Sequence, residues 1–142
     1  AIEDEPGNAE YHYKISITYA RSDRLDKALY HAASACKLRP DQHEYRYYFQ
    51  RLRARQLAAR AHQILETKQV SVDAALDLLQ DAVKLDPLCE EAWILKAVAH
   101  AELGKIDIAV QTVHKALELN PHNELALRLL QTYQKKINPY TH

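Results

Sequence analysis

Apolar and small residues recur along this chain at helical spacing, and they recur in blocks. Glu90–Asn123 reads as one helix, a turn at Gly104-Lys105, a second helix, and a proline, Pro121, that opens the next helix. Moving the register back by 34 residues lays a second copy on the first. Ala109 falls on Ala75, Ala116 on Ala82, Leu119 on Leu85 and Pro121 on Pro87. A shift of 81 residues finds a third copy, with Ala28, Ala35, Leu38 and Pro40 in the same places. The alanines are small where two helix backbones approach closely. Asn120 is expected to cap the following helix, with Pro121 at its first position, where no backbone donor is needed.

Residues 1–8 are acidic, hold Pro6-Gly7 and form a flexible lead-in that ends in the candidate cap Asn8. The first block places helices near Ala9–Arg21 and Leu25–Leu38, with a turn at Ser22-Asp23. Tyr11, Ile15, Thr18 and Tyr19 are its packing candidates. The period then slips: Pro40 and Pro87 are 47 residues apart, 13 more than one period. Asp41–Gln69 contains no Gly and no Pro, and Asp41 with Glu44 has the spacing of a capping box. A single long helix over Asp41–Lys68 is expected, against a rival of two helices parting near Arg53–Gln56. Its apolar pattern changes phase. At about 100° per residue, Tyr45, Tyr48, Phe49, Leu52 and Ala59 fall on one side, and Leu57, Ala61, Ile64 and Leu65 on nearly the opposite one. The front half would seal the first block and the back half would begin the second. Ser71 can cap Val72–Leu85. A last helix, Asn123–Ile137, turns Gln131, Gln134, Lys135 and Lys136 outward and stops before Pro139.

Ala92-Trp93, Gly104, Ala109, Ala116 and Asn120-Pro121 at this period make the segment resemble the tetratricopeptide repeat, whose period is about 34 residues. Two positions depart from the pattern: the small residue of the first helix is Ala97, not Gly, and the aromatic one turn later is His100. The resemblance implies an all-α, right-handed tetratricopeptide solenoid of three helix-turn-helix repeats with a capping helix. One domain would cover 9–137, with repeats 9–42, 43–89 (its first helix elongated) and 90–123, a cap 124–137, and a tail 138–142. Single hairpins of this kind cannot bury their apolar faces, so copies must stack.

The chain has 142 residues and a formal net charge of zero, so no global field gathers nucleic acid or anionic membrane. No apolar run approaches the roughly 20 residues that span a bilayer. A cytoplasmic protein is expected, either processed or excised from a longer one, because the chain starts at Ala1. Cys36 and Cys89 read as small buried or half-buried thiols, not a disulfide framework. None of the eight histidines forms a His-x-x-x-His pair or sits beside a Cys at ligand spacing, so no metal is expected. No phosphate loop, nucleophile elbow or zincin helix is present. The expectation is a non-enzyme without cofactors.

Two surfaces remain as binding candidates. In the family the first helices of successive repeats line a concave face. Carried over by position, that face holds Tyr13, Lys14 and Ile17 from the first repeat, and Leu57, Arg60, Ala61 and Ile64 from the second. The third supplies Ile94, Leu95 and Val98, and the cap supplies Leu125, Arg128 and Leu129. It suits an amphipathic helix or extended apolar segment of a partner protein, or self-association through the same groove. Some family members clamp acidic carboxyl-terminal tails with Lys, Asn and Arg. Those positions here are Tyr13, Ile17, Ala61, Glu91 and Leu95, so that subclass is not expected. The alternative is the arginine-rich long helix with Arg46, Arg51, Arg53, Arg55 and Arg60, of which Arg46, Arg53 and Arg60 share one side, beside Tyr45, Tyr47, Tyr48 and Phe49. Such a face could take RNA, a single strand or an acidic partner, with nucleic acid the less expected of these.

Overall fold

The computed structural model describes residues 7–68 and 70–139. Within them lie seven helices and no strand: α1 (Ala9–Arg21), α2 (Leu25–Leu38), α3 (His43–Thr67), α4 (Val72–Leu85), α5 (Glu90–Glu102), α6 (Ile106–Leu119) and α7 (Glu124–Ile137). The expectations for residues 1–6 of the lead-in and 140–142 of the tail lie outside the described residues. The fold parts into two compact units, Ala1–Gln56 and Leu57–His142, with α3 running from the first into the second.

Three helix starts follow the side chains that the sequence offers. Asn8 accepts from the Tyr11 amide at 2.8 Å, Ser71 from Ala74 at 3.4 Å and Asn123 from Ala126 at 3.0 Å, each satisfying an otherwise orphaned donor of the first turn. Asn120 does not cap the next helix. It ends α6, and its Oδ1 accepts from the amide of His122 at 3.1 Å. Pro121 therefore sits in the turn rather than inside a helix, and Pro87 does the same, because the Asp86 side chain takes the amide of Leu88 at 3.1 Å. A short polar side chain that bonds two residues ahead makes its own turn. The capping box at Asp41 and Glu44 is also absent. Asp41 pairs with Arg39 at 3.3 Å, Glu44 accepts from the Tyr13 hydroxyl at 2.9 Å, and the helix starts at His43. Gly104 takes φ +78°, and Asp23, its counterpart 81 residues earlier, takes φ +62°. Asp tolerates this left-handed region better than most side chains.

All six repeat alanines, Ala28, Ala35, Ala75, Ala82, Ala109 and Ala116, are fully buried. In unit 1, α1 packs on α2, and Leu52 of α3 closes a cluster with Ala20, Ala28, Leu29 and Ala32, flanked by Tyr19, Leu25, Tyr48 and Phe49. In unit 2, α4 packs on α5, α5 on α6, and α6 on α7. Ile94, Ala97, Ala109, Val113, Ala116, Ala126 and Tyr133 make its core.

The long helix is unbroken over His43–Thr67. Its buried side changes at the expected place: Leu52 belongs to the front face, whereas Ala54, Leu57, Ala58, Ala61 and Leu65 are buried on the opposite one. Ala59 departs from expectation. It shares the angular position of Leu52 but comes after the handover, and is exposed.

Trp93 packs against the cluster of Ala109 and Val113, as expected, and its indole N–H donates to the carbonyl of Pro87 at 2.7 Å. Trp93→Phe should keep the packing and lose that bond, costing about 1 kcal/mol. Trp93→Ala should cost about 3 kcal/mol. Urea denaturation of the pair separates the two contributions. Equal losses would mean that the bond, not the packing, dominates.

Candidate functional site

The structure sorts the expected groove positions by what covers them. In unit 1, Tyr13 is half-buried. Its ring lies 4.7 Å from Tyr45 and its hydroxyl is held by Glu44. Burial, then that bond, pushes its phenol up. Ile17 is also half-buried, and Lys14 pairs with Glu10 at 3.0 Å.

Two positions in unit 2 must be corrected. Ile94 is 6% exposed and belongs to the core cluster; Leu95 is 8% exposed. Neither is open to a partner. The reason is crowding: α5 packs against α4 and α6 and meets α7, so most of its circumference is covered. Leu57 and Ala61 on α3 are buried as well. The side of α5 left to solvent carries Glu91, Val98 and Glu102, at steps of seven and four residues. Val98 is half-buried and the two glutamates are exposed. Next to α5, α7 offers Leu125, 48% exposed, with Leu129 half-buried and Arg128 exposed. Ile64 and Arg60 of α3 are half-buried and exposed respectively. The positions of unit 2 left at least partly open are thus apolar at Val98, Leu125 and Leu129, with Glu91 and Glu102 on the Val98 side of α5.

Glu90 supplies a link that the sequence did not suggest. Its Oε1 accepts from Asn120 Nδ2 at 3.1 Å and Asn123 Nδ2 at 2.9 Å, tying the start of α5 to the turn before α7. Glu90→Ala leaves two amides to be re-solvated and should cost about 1–2 kcal/mol, read as a shift in the unfolding midpoint. No shift would mean that water replaces the carboxylate fully.

On the far side of α5, Lys96 Nζ lies 5.1 Å from the centre of the Trp93 ring, a cation–π placement. His100 follows one turn later. Its Nδ1 is buried without a hydrogen-bond partner, and burial, then Lys96 and Lys105, holds its pKa below the usual value. In unit 1, His31 shares a 2.9 Å Nδ1–Nδ1 contact with His12 and stacks on Tyr19. Burial, then His12, lowers its pKa too. Both folded rings hold a proton less readily than the unfolded chain does, so the unfolded chain binds more protons as pH falls below the ordinary histidine value of 6.5. Stability should be flat above that value and fall below it. A double variant, His31→Gln with His100→Gln, should flatten the acid limb of the urea midpoint. An unchanged limb would assign it to other groups.

The alternative basic side is exposed throughout. Arg46 contacts His43, and Arg53 donates to Gln56 at 2.7 Å. Its expected aromatic partners are elsewhere engaged: Tyr48 and Phe49 flank the core, and Tyr45 stacks near Tyr13, leaving Tyr47 exposed. Among the described residues no group of three His, Cys, Asp or Glu is placed to hold a metal ion, and no helix is long and apolar enough to cross a membrane. Cys36 is half-buried and Cys89 buried.

No curated protein matches the chain in sequence. Solved structures do match it in fold. The first tetratricopeptide domain of Spaghetti (RPAP3), bound to the HSP90 peptide SRMEEVD, aligns with a TM-score of 0.52 at 19% identity, over 91% of this chain and 94% of that one. The tetratricopeptide domain of Arabidopsis OM64 gives 0.53 at 20%, over 90% and 95%. That of Sgt2 from Aspergillus fumigatus gives 0.53 at 18%, over 91% and 78%. At these identities the likeness is one of fold. Residues 68–133 match the family model described as tetratricopeptide repeat. With that match over just under half of the chain and the buried alanines of its hairpins, the chain has an all-α helical-repeat fold similar to that of tetratricopeptide repeat domains.

Proposed function

We propose that this chain is a protein-interaction scaffold that docks an amphipathic helix or extended apolar segment of a partner on the α5–α7 face of unit 2. The observation that carries the reading is the apolar surface left in water there: Leu125, 48% exposed, and half-buried Leu129 on α7, with half-buried Val98 on α5. Covering it recovers about 25 cal/mol per Å² of apolar area. Ile64 extends the apolar side on α3, and Arg60 and Arg128, with Glu91 and Glu102, orient the partner by charge. The division into repeats 9–42, 43–89 and 90–123 with a cap at 124–137 belongs to this proposal. The reading assigns no catalysis.

The test uses peptides selected by display against the folded chain. Val98→Glu with Leu125→Glu should weaken the selected peptides about tenfold or more, which is a loss on the order of one good apolar contact. Arg53→Glu should change little. Normal binding by the double variant would overturn the assignment. Sedimentation of the unliganded chain settles the rival occupant: a dimer that the double variant dissolves would mean that a second copy covers this face.

We also infer that the chain does not read terminal carboxylates. Tyr13, Ile17, Ala61, Glu91 and Leu95 stand at the clamp positions, and without cations there is nothing to neutralise a carboxylate. SRMEEVD, the peptide of the Spaghetti complex, should bind no better with a free carboxyl terminus than when amidated. A strong preference for the free acid would contradict this.

A further inference from the structure

Unit 1 carries more positive charge than the zero balance of the whole chain suggests. Residues 1–56 hold ten Lys and Arg against eight Asp and Glu, and residues 57–142 hold nine against eleven. Much of the excess lies on the first part of α3. Arg46, Arg51, Arg53 and Arg55 are all exposed, and Glu44, the one carboxylate of that stretch, is engaged by Tyr13.

These arginines fall into two sets. Arg46 and Arg53 have neutral neighbours in His43 and Gln56. Arg51 and Arg55 are one turn apart and share a side of the helix with Tyr48, at steps of three and four residues. Tyr48 packs on the cluster that contains Ala20, the residue next to Arg21 in the last turn of α1. Burial pushes the Tyr48 phenol up, against the opposing pull of Arg55, Arg51 and Arg21. None of the three guanidinium groups forms an ion pair among the described residues. Three exposed like charges on two helices, none paired with a carboxylate among the described residues, suit an anion supplied from outside. Planar guanidinium forks fit a carboxylate with two parallel bonds.

We propose that Arg21, Arg51 and Arg55 form a docking site for an acidic segment of a partner protein, whose Asp or Glu carboxylates bridge the guanidinium groups beside Tyr48. A protein segment fits better than a nucleic acid. Base stacking needs several open rings, whereas Tyr45, Tyr48 and Phe49 are partly covered and only Tyr47 of the four stays exposed. The site is separate from the α5–α7 face and stands or falls without it.

The test is fluorescence anisotropy of a labelled, glutamate-rich peptide with an amidated carboxyl terminus, at about 0.15 M salt, where charges more than about 8 Å apart are largely screened. Arg51→Glu with Arg55→Glu should weaken binding about tenfold or more, and Arg21→Gln, on the other helix, severalfold. Arg46→Glu with Arg53→Glu carries the same charge change on the same helix and should cost less than about twofold. Val98→Glu with Leu125→Glu should have no effect. All substituted arginines are exposed, so helical content should not change. Absence of binding by the parent chain would overturn the proposal. Equal losses from the two arginine pairs would replace the site with a diffuse field. An oligouridylate that binds as tightly as the peptide, with the same dependence on Arg51 and Arg55, would make this a nucleic-acid surface instead.

Discussion

Ile94→Glu is expected to unfold unit 2, while Val98→Glu, one turn further along the same helix, leaves it folded. Ile94 is 6% exposed in a cluster of Ala97, Ala109, Val113, Ala116, Ala126 and Tyr133. A carboxylate there loses its water and gains no cation from these side chains, so it must either protonate or open the core. Loss of the isoleucine packing adds to that. The sum is about 4 kcal/mol or more, a large share of the roughly 5–15 kcal/mol that a domain has. Val98 keeps part of its surface in water, and its substitution should cost less than about 1 kcal/mol. Circular dichroism melts of the two variants measure the difference. If Ile94→Glu melts like the parent, Ile94 is open to solvent and belongs back among the docking residues.

Leu52→Pro should be comparably severe in unit 1. Proline in the middle of α3 removes one backbone hydrogen bond and drives its ring against the carbonyl of Tyr48, a cost of about 3 kcal/mol. Leu52 is also 2% exposed and closes the unit 1 cluster. Its shape is lost with the helix, which brings the total to about 5 kcal/mol. Ala59→Pro is the control. Ala59 is exposed on the same helix, so it should show the backbone part alone. Equal losses would mean that Leu52 contributes nothing by packing. If Leu52→Pro left stability untouched, the helix would have to be interrupted at that point already.

Helix positions and repeat alanines were legible in the sequence because they depend on local or periodic features. A backbone approach admits only a small residue, so Ala75, Ala109 and their partners mark it at fixed intervals. The absence of Gly and Pro over Asp41–Gln69 marked the long helix, and the change of its apolar side between Leu52 and Leu57 marked the handover, although not that Ala54 is already buried on the second side and Ala59 is exposed. What was not legible depends on neighbours. The repeat register gives the turn of α5 on which Ile94 and Leu95 lie. It does not say that α4, α6 and α7 together cover most of that helix. The same limit hid Glu90, whose partners are 30 and 33 residues away, and the position of Arg21, next to the Ala20 of the cluster that Tyr48 flanks. The sequence pattern favoured Arg46, Arg53 and Arg60 because a seven-residue step is visible along one helix, and convergence from two helices is not. The caps at Asn120 and Pro121 were misplaced for a local reason: a side chain that can start a helix can equally close the turn before it.

Amide chemical-shift mapping tests the central claim most directly. The isotopically labelled chain is titrated with a display-selected peptide of a partner class. If unit 2 docks it through the α5–α7 face, the largest shifts fall on Val98, Leu125, Leu129 and their neighbours, with Ile64 at the edge and Arg46 and Arg53 unmoved. Shifts centred on Arg46 and Arg53, or spread evenly along the seven helices, would contradict it.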